Sequence, residues 1–355
     1  MEYSNSLKIL IERATVFKGR DMHVTIVANP VAGGFTQKKR VIQNRIFMEE
    51  AIKRVENRPV VTRSCSVVAH FTNAAGHAGA LAKSVFFEAE KDSNPLALYL
   101  VVSAGGDGTS LEVQSSFTRE VVTAGKKNLI DKVCFIRMPF GTGNDATDGR
   151  TLDKTLTLLT GDAYFFKQGA VHIYSPANMN FDYYAFNIAS IGLDAFVTHM
   201  TNKVKRFFPG DFYMLWVDAA CLFYNKLFRV VPMTISAMHQ NGDLLFSHEE
   251  KILLYAMGVS GFRTYGSNQK ILPDTNNVCA VREMPLFRKF KLKKLFRFGA
   301  HKAVPETMLY TAQKLIINYS EKILAQVDGE AHYVQASDFP IVMECTETFI
   351  TILKI

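Results

Sequence analysis

Three glycine-rich segments carry residues whose type and spacing suit chemistry on phosphate groups. ALYLVVSAGGDGTSLEVQSSF runs a continuous apolar stretch, the pattern of a buried strand, straight into Gly105-Gly106-Asp107-Gly108-Thr109 and then into a helical pattern. A strand-to-helix turn of this kind leaves backbone N–H groups free at the helix N-terminus. Glycines there supply the close approach and positive φ that a phosphate cradle needs. A tight turn that merely needs flexible residues would explain a lone glycine pair; three glycines around one acid favour the cradle, with Asp107 standing where the phosphates would lie. Asn29-Pro30-Val31-Ala32-Gly33-Gly34 and Pro139-Phe140-Gly141-Thr142-Gly143-Asn144-Asp145 each follow another strand-like run. In a doubly wound sheet, loops at the carboxyl ends of the strands line one crevice, so the three can converge on a single ligand, and a nucleotide is what such convergence serves. Near the C-terminus, Asp328 and Glu330 stand two apart on the strand-like run KILAQVDGEAHY. Alternation would turn both acids to one face. The plainer alternative is an Asp-Gly turn with a solvent-facing glutamate beside it.

These residues need a frame. The chain has 355 residues, with 41 Lys+Arg against 33 Asp+Glu for a formal charge of +8; 48% of residues are apolar and 21% charged. That composition is globular, which excludes a disordered or fibrous chain, and at about 100–200 residues per domain the length favours two domains. Cys65, Cys134, Cys221, Cys279 and Cys345 lie far apart with no Cys-x-x-Cys pair, which argues against a disulfide framework or cysteine zinc site and fits a reducing cytoplasm. The opening MEYSNSLKILIERATVFKGR carries charges through its apolar stretch and lacks a small-residue cleavage site, so it does not read as a signal peptide. The two most apolar windows, ALYLVVSAGG and FYMLWVDAACLFY, are short or broken by Asp218 and do not read as membrane spans. The expectation is a cytoplasmic protein, soluble or peripheral on the inner membrane face.

Between Asp21 and Arg150, the β-branched runs HVTIVANP, RPVVTRSCSV, ALYLVVSAGG and VCFIRMPF alternate with helical stretches, the signature of βαβ units around a parallel sheet. This predicts a doubly wound α/β domain over 21–150, with 340–355 as a candidate to complete it. From 151 to 339 many strand-like segments follow, including an Asn241-Gly242 hairpin signal, and predict a mostly antiparallel β domain. Helices are expected over about Asp194–Arg206 and Asp211–Phe228. No P-loop string is present. Gly141-Thr142-Gly143-Asn144-Asp145-Ala146 matches a dinucleotide fingerprint, with Asp162 downstream, but it follows the fourth strand instead of the first, which ranks a dehydrogenase below a kinase.

Taken together, Asn29-Pro30 with its glycines, Gly-Gly-Asp-Gly-Thr at 105–109, Pro-Phe-Gly-Thr-Gly-Asn-Asp at 139–145 and Asp328-Gly329-Glu330 resemble the diacylglycerol kinase catalytic-domain family, which includes bacterial lipid kinases, sphingosine kinases and ceramide kinases. The resemblance spans nearly the whole chain. It implies an ATP-dependent lipid kinase with an NAD kinase/diacylglycerol kinase-like α/β nucleotide-binding domain, a C-terminal antiparallel β-sandwich domain, and an active site in the cleft between them. By position it implies nucleotide contacts from Thr72, from Gly105, Gly106, Asp107, Gly108 and Thr109, and from Thr142, supported by Asn29 and Asn144. Asp328 and Glu330 correspond to the acidic pair that handles metal and proton, with Glu330 the first choice and Asp107 the second for the general base. Mg²⁺ takes oxygen ligands and keeps several waters, so Asp107 and Asp328 are candidate ligands. Where family members carry an Asp-Asp-Gly that binds a further structural magnesium, this chain reads Leu272-Pro273-Asp274-Thr275-Asn276-Asn277, and neutral Asn277 puts that second site in doubt.

PLFRKFKLKKLFRFGAHK, residues 285–302, interleaves Lys and Arg with Phe and Leu and contains no acid. It is a candidate for docking on an anionic membrane surface, although its apolar residues scatter around a helical wheel instead of forming one stripe. No nucleic-acid module accompanies it. Two rival functions are an NAD kinase-like enzyme with a soluble acceptor, against which the absence of any Asn-Glu dipeptide counts, and a nucleotide or lipid sensor without turnover, against which the three carboxylates count.

Overall fold

The computed structural model describes every residue except Met1, Thr142, Gly143, residues 206–212 and Ser267. The chain divides into two compact units, Met1–Gln168 with Thr348–Ile355, and Gly169–Glu347.

The first unit contains α1 (Glu2–Arg13), β1 (Asp21–Ala28), α2 (Gly33–Thr36), α3 (Lys38–Val55), β2 (Ser64–Phe71), α4 (His77–Lys91), β3 (Ala97–Gly105), α5 (Asp107–Phe117), β4 (Val133–Pro139), α6 (Leu152–Thr160) and β5 (Tyr164–Gln168). Its sheet runs β2-β1-β3-β4, then the C-terminal strand Ile350–Lys354, then β5. The first four strands are mutually parallel, the C-terminal strand is parallel to β4, and β5 is antiparallel to it. Because β1 has β2 on one side and β3 on the other, the winding reverses at β1, the topological switch point of a doubly wound sheet. One face of β1 (Met22, Val24, Ile26) packs with Leu7, Leu10 and Ile11 of α1, Met48 and Ala51 of α3, and Leu156 of α6. Elsewhere in the unit, Phe86 of α4 and Phe117 of α5 meet edge to face at 5.1 Å, and Phe117 meets Phe135 of β4 at 5.1 Å. Helices therefore cover both faces, and every residue of β3 and β4 is buried, as their unbroken hydrophobicity requires.

Three boundaries differ from the sequence reading. The unit extends to Gln168 instead of 150, because α6 packs in the same core and β5 pairs with the returning chain. The return is Thr348–Ile355, since Ile341–Cys345 pairs within the second unit. The unit also takes in residues before Asp21: α1 buries Tyr3, Leu7, Leu10 and Ile11 at helical spacing. In addition, β2 begins at Ser64, several residues beyond the start of the apolar run RPVVTRSCSV.

The second unit comprises β6 (Val171–Tyr174), β7 (Asp182–Ala185), β8 (Ile188–Gly192), α7 (Leu193–Lys205), α8 (Tyr213–Leu227), β9 (Pro232–Met238), β10 (Leu244–Gly258), β11 (Arg263–Tyr265), β12 (Gln269–Leu272), β13 (Val278–Arg282), α9 (Leu286–Phe296), β14 (Thr307–Tyr310), β15 (Lys314–Asn318), β16 (Ile323–Val327), β17 (Glu330–Val334) and β18 (Ile341–Cys345). Arg206, Asp211 and Phe212, expected at helix ends, lie outside the described residues. The main sheet is antiparallel and runs β17-β16-β8-β10-β9-β15-β18-β6-β7, with β13 and β14 attached at β10. The long β10 makes this possible: its first half pairs with β9, and its second half, past an irregularity near Ile252, pairs with β8 and β13. The two layers expected of a sandwich are thus joined into one curled, continuous sheet. Gly242, at φ 86°, turns the chain between β9 and β10 as the Asn-Gly pair predicted.

His301, in the turn after α9, is fully buried, stacks on Phe296 at 4.0 Å and meets the Ile271 carbonyl through Nε2 at 3.2 Å. Burial pushes the imidazole down to about 4. The unfolded chain therefore takes up this proton first as the pH falls. The stability gained by keeping His301 neutral is intact above about pH 6.5 and declines toward pH 4, by about 3 kcal/mol. Urea midpoints should fall more steeply over that range in the wild type than in His301→Gln; parallel curves would refute the assignment.

Candidate active site

In the first unit, the loops that leave the carboxyl ends of β1, β2, β3 and β4 are tied together by their own backbones. The amide of Asn29 donates to the Ala104 carbonyl and that of Thr72 to the Ala28 carbonyl, both at 2.9 Å. The amide of Gly34 donates to Phe140 at 2.7 Å, while the amides of Phe140 and Gly141 both donate to the Gly105 carbonyl, at 2.9 and 2.7 Å. Glycine is required at two of these positions for space. A Cβ on Gly34 would lie 2.5 Å from the Phe140 ring, and one on Gly105 would lie 2.3 Å from Thr109 Oγ1. The three glycine-rich segments singled out from the sequence therefore do meet, with Thr72 and Asn29 at the ends of the neighbouring strands. Thr142 lies outside the described residues.

Gly106 gives α5 no side-chain cap, and the first amides of a helix have no acceptor within it. That combination, with the dipole behind it, suits the start of α5 to an anion. Asp107, the first residue of α5, turns its carboxylate to the neighbouring loop, where Oδ2 accepts the amide of Asp145 at 3.2 Å and Oδ1 that of Ala146 at 2.9 Å. The far end of the same loop is fixed by a buried ion pair: Arg137 Nη2 and Nε reach Asp148 Oδ1 at 2.6 and 3.0 Å, and the Arg137 amide donates to Oδ2 at 2.6 Å. Asn144 donates to the Pro139 carbonyl at 3.4 Å. Among the described residues its side-chain oxygen is buried without a partner, as a group that a bound molecule satisfies would be.

The second unit holds the late acids. Asp328 and Gly329, at φ 45° and 95°, form the two-residue turn of the β16–β17 hairpin, in which Val327 pairs with Glu330. Asp328 therefore lies in the turn itself and Glu330 opens the strand after it, so the alternation argument for a shared face fails; the Asp-Gly turn reading is the correct one. The Asp328 side chain is buried and folds back on the β7–β8 connection, accepting the amides of Phe186, Asn187 and Ile188 at 2.5, 3.0 and 2.9 Å. Glu330 begins β17 and is exposed. Both oxygens of Asp107, and both of Asp328, accept backbone amides, which fixes each carboxylate in place and leaves it fewer lone pairs to offer a magnesium ion. Asn277 donates to the Ala312 carbonyl and accepts the Ala312 amide, both at 3.0 Å, so its amide group clamps the backbone of that residue. A carboxylate could not donate there.

The same unit contains an open apolar pocket lined by Val197 of α7, Cys221 of α8, Leu254 of β10, Ile271 of β12, Val281 of β13 and Leu292 of α9, with Asp194, Gln269, Lys289 and Lys293 among its few polar groups. The sequence reading did not foresee it, because its walls come from six separate elements.

No protein family model matches the chain. Over 328 residues it is 25% identical to the Bacillus subtilis (strain 168) protein named "Putative lipid kinase YtlR", an alignment covering 87% of this chain and 93% of that one. Two crystal structures from Bacillus anthracis strain Sterne superpose on it. One, described as "a putative diacylglycerol kinase", gives a TM-score of 0.56 at 16% identity over 93% of this chain and 96% of the other. A second diacylglycerol kinase structure gives 0.54 at 14% identity, over 93% and 95%. The chain has the diacylglycerol kinase-like fold.

In that fold, two site residues had no motif to announce them. Arg40 of α3 donates to the Pro139 carbonyl at 3.1 Å, and burial pulls its guanidinium below the usual range. Glu112 of α5 accepts the amides of Gly76 and Ala78 at 2.8 and 3.1 Å and so caps α4. The one signal in the sequence was an arginine, Arg137, inside an otherwise apolar strand, which must be paired. The geometry predicts that Gly105→Ala, which forces Thr109 to move, weakens the binding of ATP by roughly tenfold or more and costs about 1–3 kcal/mol of stability. Asp107→Asn, which turns an N–H toward an N–H, should weaken nucleotide binding while the folded circular dichroism persists. Unchanged ATP affinity by calorimetry in both variants would show that these loops do not hold the nucleotide.

Proposed function

We propose that the protein is an ATP-dependent lipid kinase that transfers the γ-phosphoryl group to a hydroxyl of diacylglycerol or a related, sphingoid-type lipid. The observation that carries the lipid part is the apolar pocket of the second unit, whose walls suit an acyl chain and offer little to a polar acceptor such as NAD. The nucleotide part is supported by the joined loops of the first unit, which present amides at the start of α5. The names borne by the similar proteins agree with this reading.

Phosphoryl transfer asks for positioning and for neutralisation of the charge that spreads over the transferred group. In this reading the α5 amides and the guanidinium of Arg40 supply donors to the phosphate oxygens. Glu330, the late acid that stands exposed at the start of its strand, takes the proton from the acceptor hydroxyl. The acceptor oxygen bonds to the γ-phosphorus, the bond to the bridging oxygen breaks, and its electron pair leaves with ADP. Asp328 is a positioning residue that fixes the hairpin carrying Glu330 by holding three amides of the β7–β8 connection. Asp107 likewise sets the position of the loop after β4. No step is assigned to a metal.

Transfer from radiolabelled ATP should be found with diacylglycerol, monoacylglycerol, sphingosine or ceramide, and not with NAD. Transfer to NAD alone would establish the soluble-acceptor kinase, and ligand binding without transfer to any of the five would establish the sensor. Glu330→Gln should lower kcat by roughly 10²–10⁴-fold with the fold intact, the range of a general base; full activity would remove that role. Separately, Cys221→Trp, which fills the pocket from α8, should raise KM for a long-chain acceptor and leave that for ATP unchanged. An equal change in both constants would detach the pocket from the acceptor.

A further inference from the structure

We infer that the outward face of α9 and the turn after it form a docking surface for anionic membranes, on the same helix whose inward face walls the apolar pocket. This rests on the reading of the protein as a kinase with a lipid acceptor.

The helix splits its residues between two faces. Lys289, Leu292, Lys293 and Phe296, at spacings of three, one and three, face inward and line the pocket. Both inward lysines are already matched: buried Lys289 pairs with Glu283 at 2.6 Å and donates to Asn225 at 3.1 Å, and Lys293 pairs with Asp218. The opposite arc, at spacings of four and three, is Phe287, Lys291 and Lys294, and the turn that follows adds Arg297, Phe298 and Lys302. All of these are exposed, Phe287 at 83% and Phe298 at 73%. Arg288 is set apart from them by its pairing with Glu306 at 2.9 Å. Residues 285–302 contain no acid.

Of the phenylalanines scattered around the wheel, Phe296 belongs to the pocket, whereas Phe287 and Phe298 face water among cations. Two large exposed aromatic rings beside four exposed cations, Lys291, Lys294, Arg297 and Lys302, complement a negatively charged surface that has an apolar interior. An anionic bilayer has both properties. A single nucleic-acid strand could use the cations and rings, but it has no use for an apolar pocket on the reverse of the same helix.

The test uses sedimentation with vesicles of phosphatidylcholine alone and of phosphatidylcholine mixed with phosphatidylglycerol. Binding should require phosphatidylglycerol and weaken steeply with salt. The triple variant Lys291→Gln, Lys294→Gln, Arg297→Gln should bind the mixed vesicles roughly a hundredfold more weakly, at the strength expected for three cations near an anionic surface. Phe287→Ser with Phe298→Ser should weaken binding and leave its salt dependence in place. Both variants should phosphorylate a short-chain, monomeric diacylglycerol as the wild type does. Vesicle binding by the triple variant at wild-type strength would overturn the inference and leave the kinase reading standing. So would a loss confined to binding of a single-stranded oligonucleotide or to a dimer seen in sedimentation velocity. Anionic-lipid-dependent binding without transfer to any lipid would sink the kinase reading and spare the docking surface.

Discussion

Everything in the first unit that can meet a phosphate depends on one carbonyl and one carboxylate. The Gly105 carbonyl takes two amides from the loop after β4, and the Asp107 carboxylate takes two more. A loop can offer backbone N–H groups to a ligand only if its other polar groups are satisfied elsewhere, since a buried orphan costs about 1–3 kcal/mol. The loop after β4 solves this by borrowing acceptors from the loop after β3. Gly105 in turn cannot carry a side chain: its Cβ would fall on Thr109, in the first turn of the helix whose amides are on offer.

The same device recurs around the chain. Glu112 holds two amides at the start of α4, Asp148 holds the Arg137 amide together with its guanidinium, and Asp328 holds three amides of the β7–β8 connection. Hydrogen bonds to an ionised acceptor are about twice as strong as neutral ones, so a carboxylate is an economical brace for an irregular segment. Acids in a phosphate-handling protein invite assignment as metal ligands or bases. Here Asp107 and Asp328 are braces by contact, and Glu330 stands exposed at the start of its strand.

That division marks the limit of what the sequence discloses. The glycine loops and the parallel sheet were legible because each follows from local pattern: unbroken hydrophobicity for a strand covered on both sides, glycine where backbones approach. The orientation of Asp328 was not legible, because Asp-Gly is equally at home in a strand pattern and in a turn. Only the pairing of Val327 with Glu330 decides between them. The extent of the first unit was misjudged for a similar reason. The pairing of β5 with the C-terminal strand joins residues about as far apart as the chain allows, and nothing in YFFKQGAVHIY marks the change of sheet at Gly169, where β5 ends and β6 has yet to begin. The apolar pocket escaped notice because no single element supplies more than a few of its walls.

The basic segment shows how composition can mislead and still point the right way. Counted as charge, the lysines of α9 are equivalent; in the fold they are not, since Glu283 and Asp218 claim Lys289 and Lys293 for the interior. Taking a lysine out of water is tolerable only with a partner of opposite charge, and each inward lysine has one. Its four methylenes then serve as pocket wall while its ammonium stays paired. What remains outside is a smaller set of cations, alternating with rings on a single arc. A helix built this way can be amphipathic without an apolar stripe: its inward face is apolar by pairing, and its outward face is cationic because no acid was placed there to answer it.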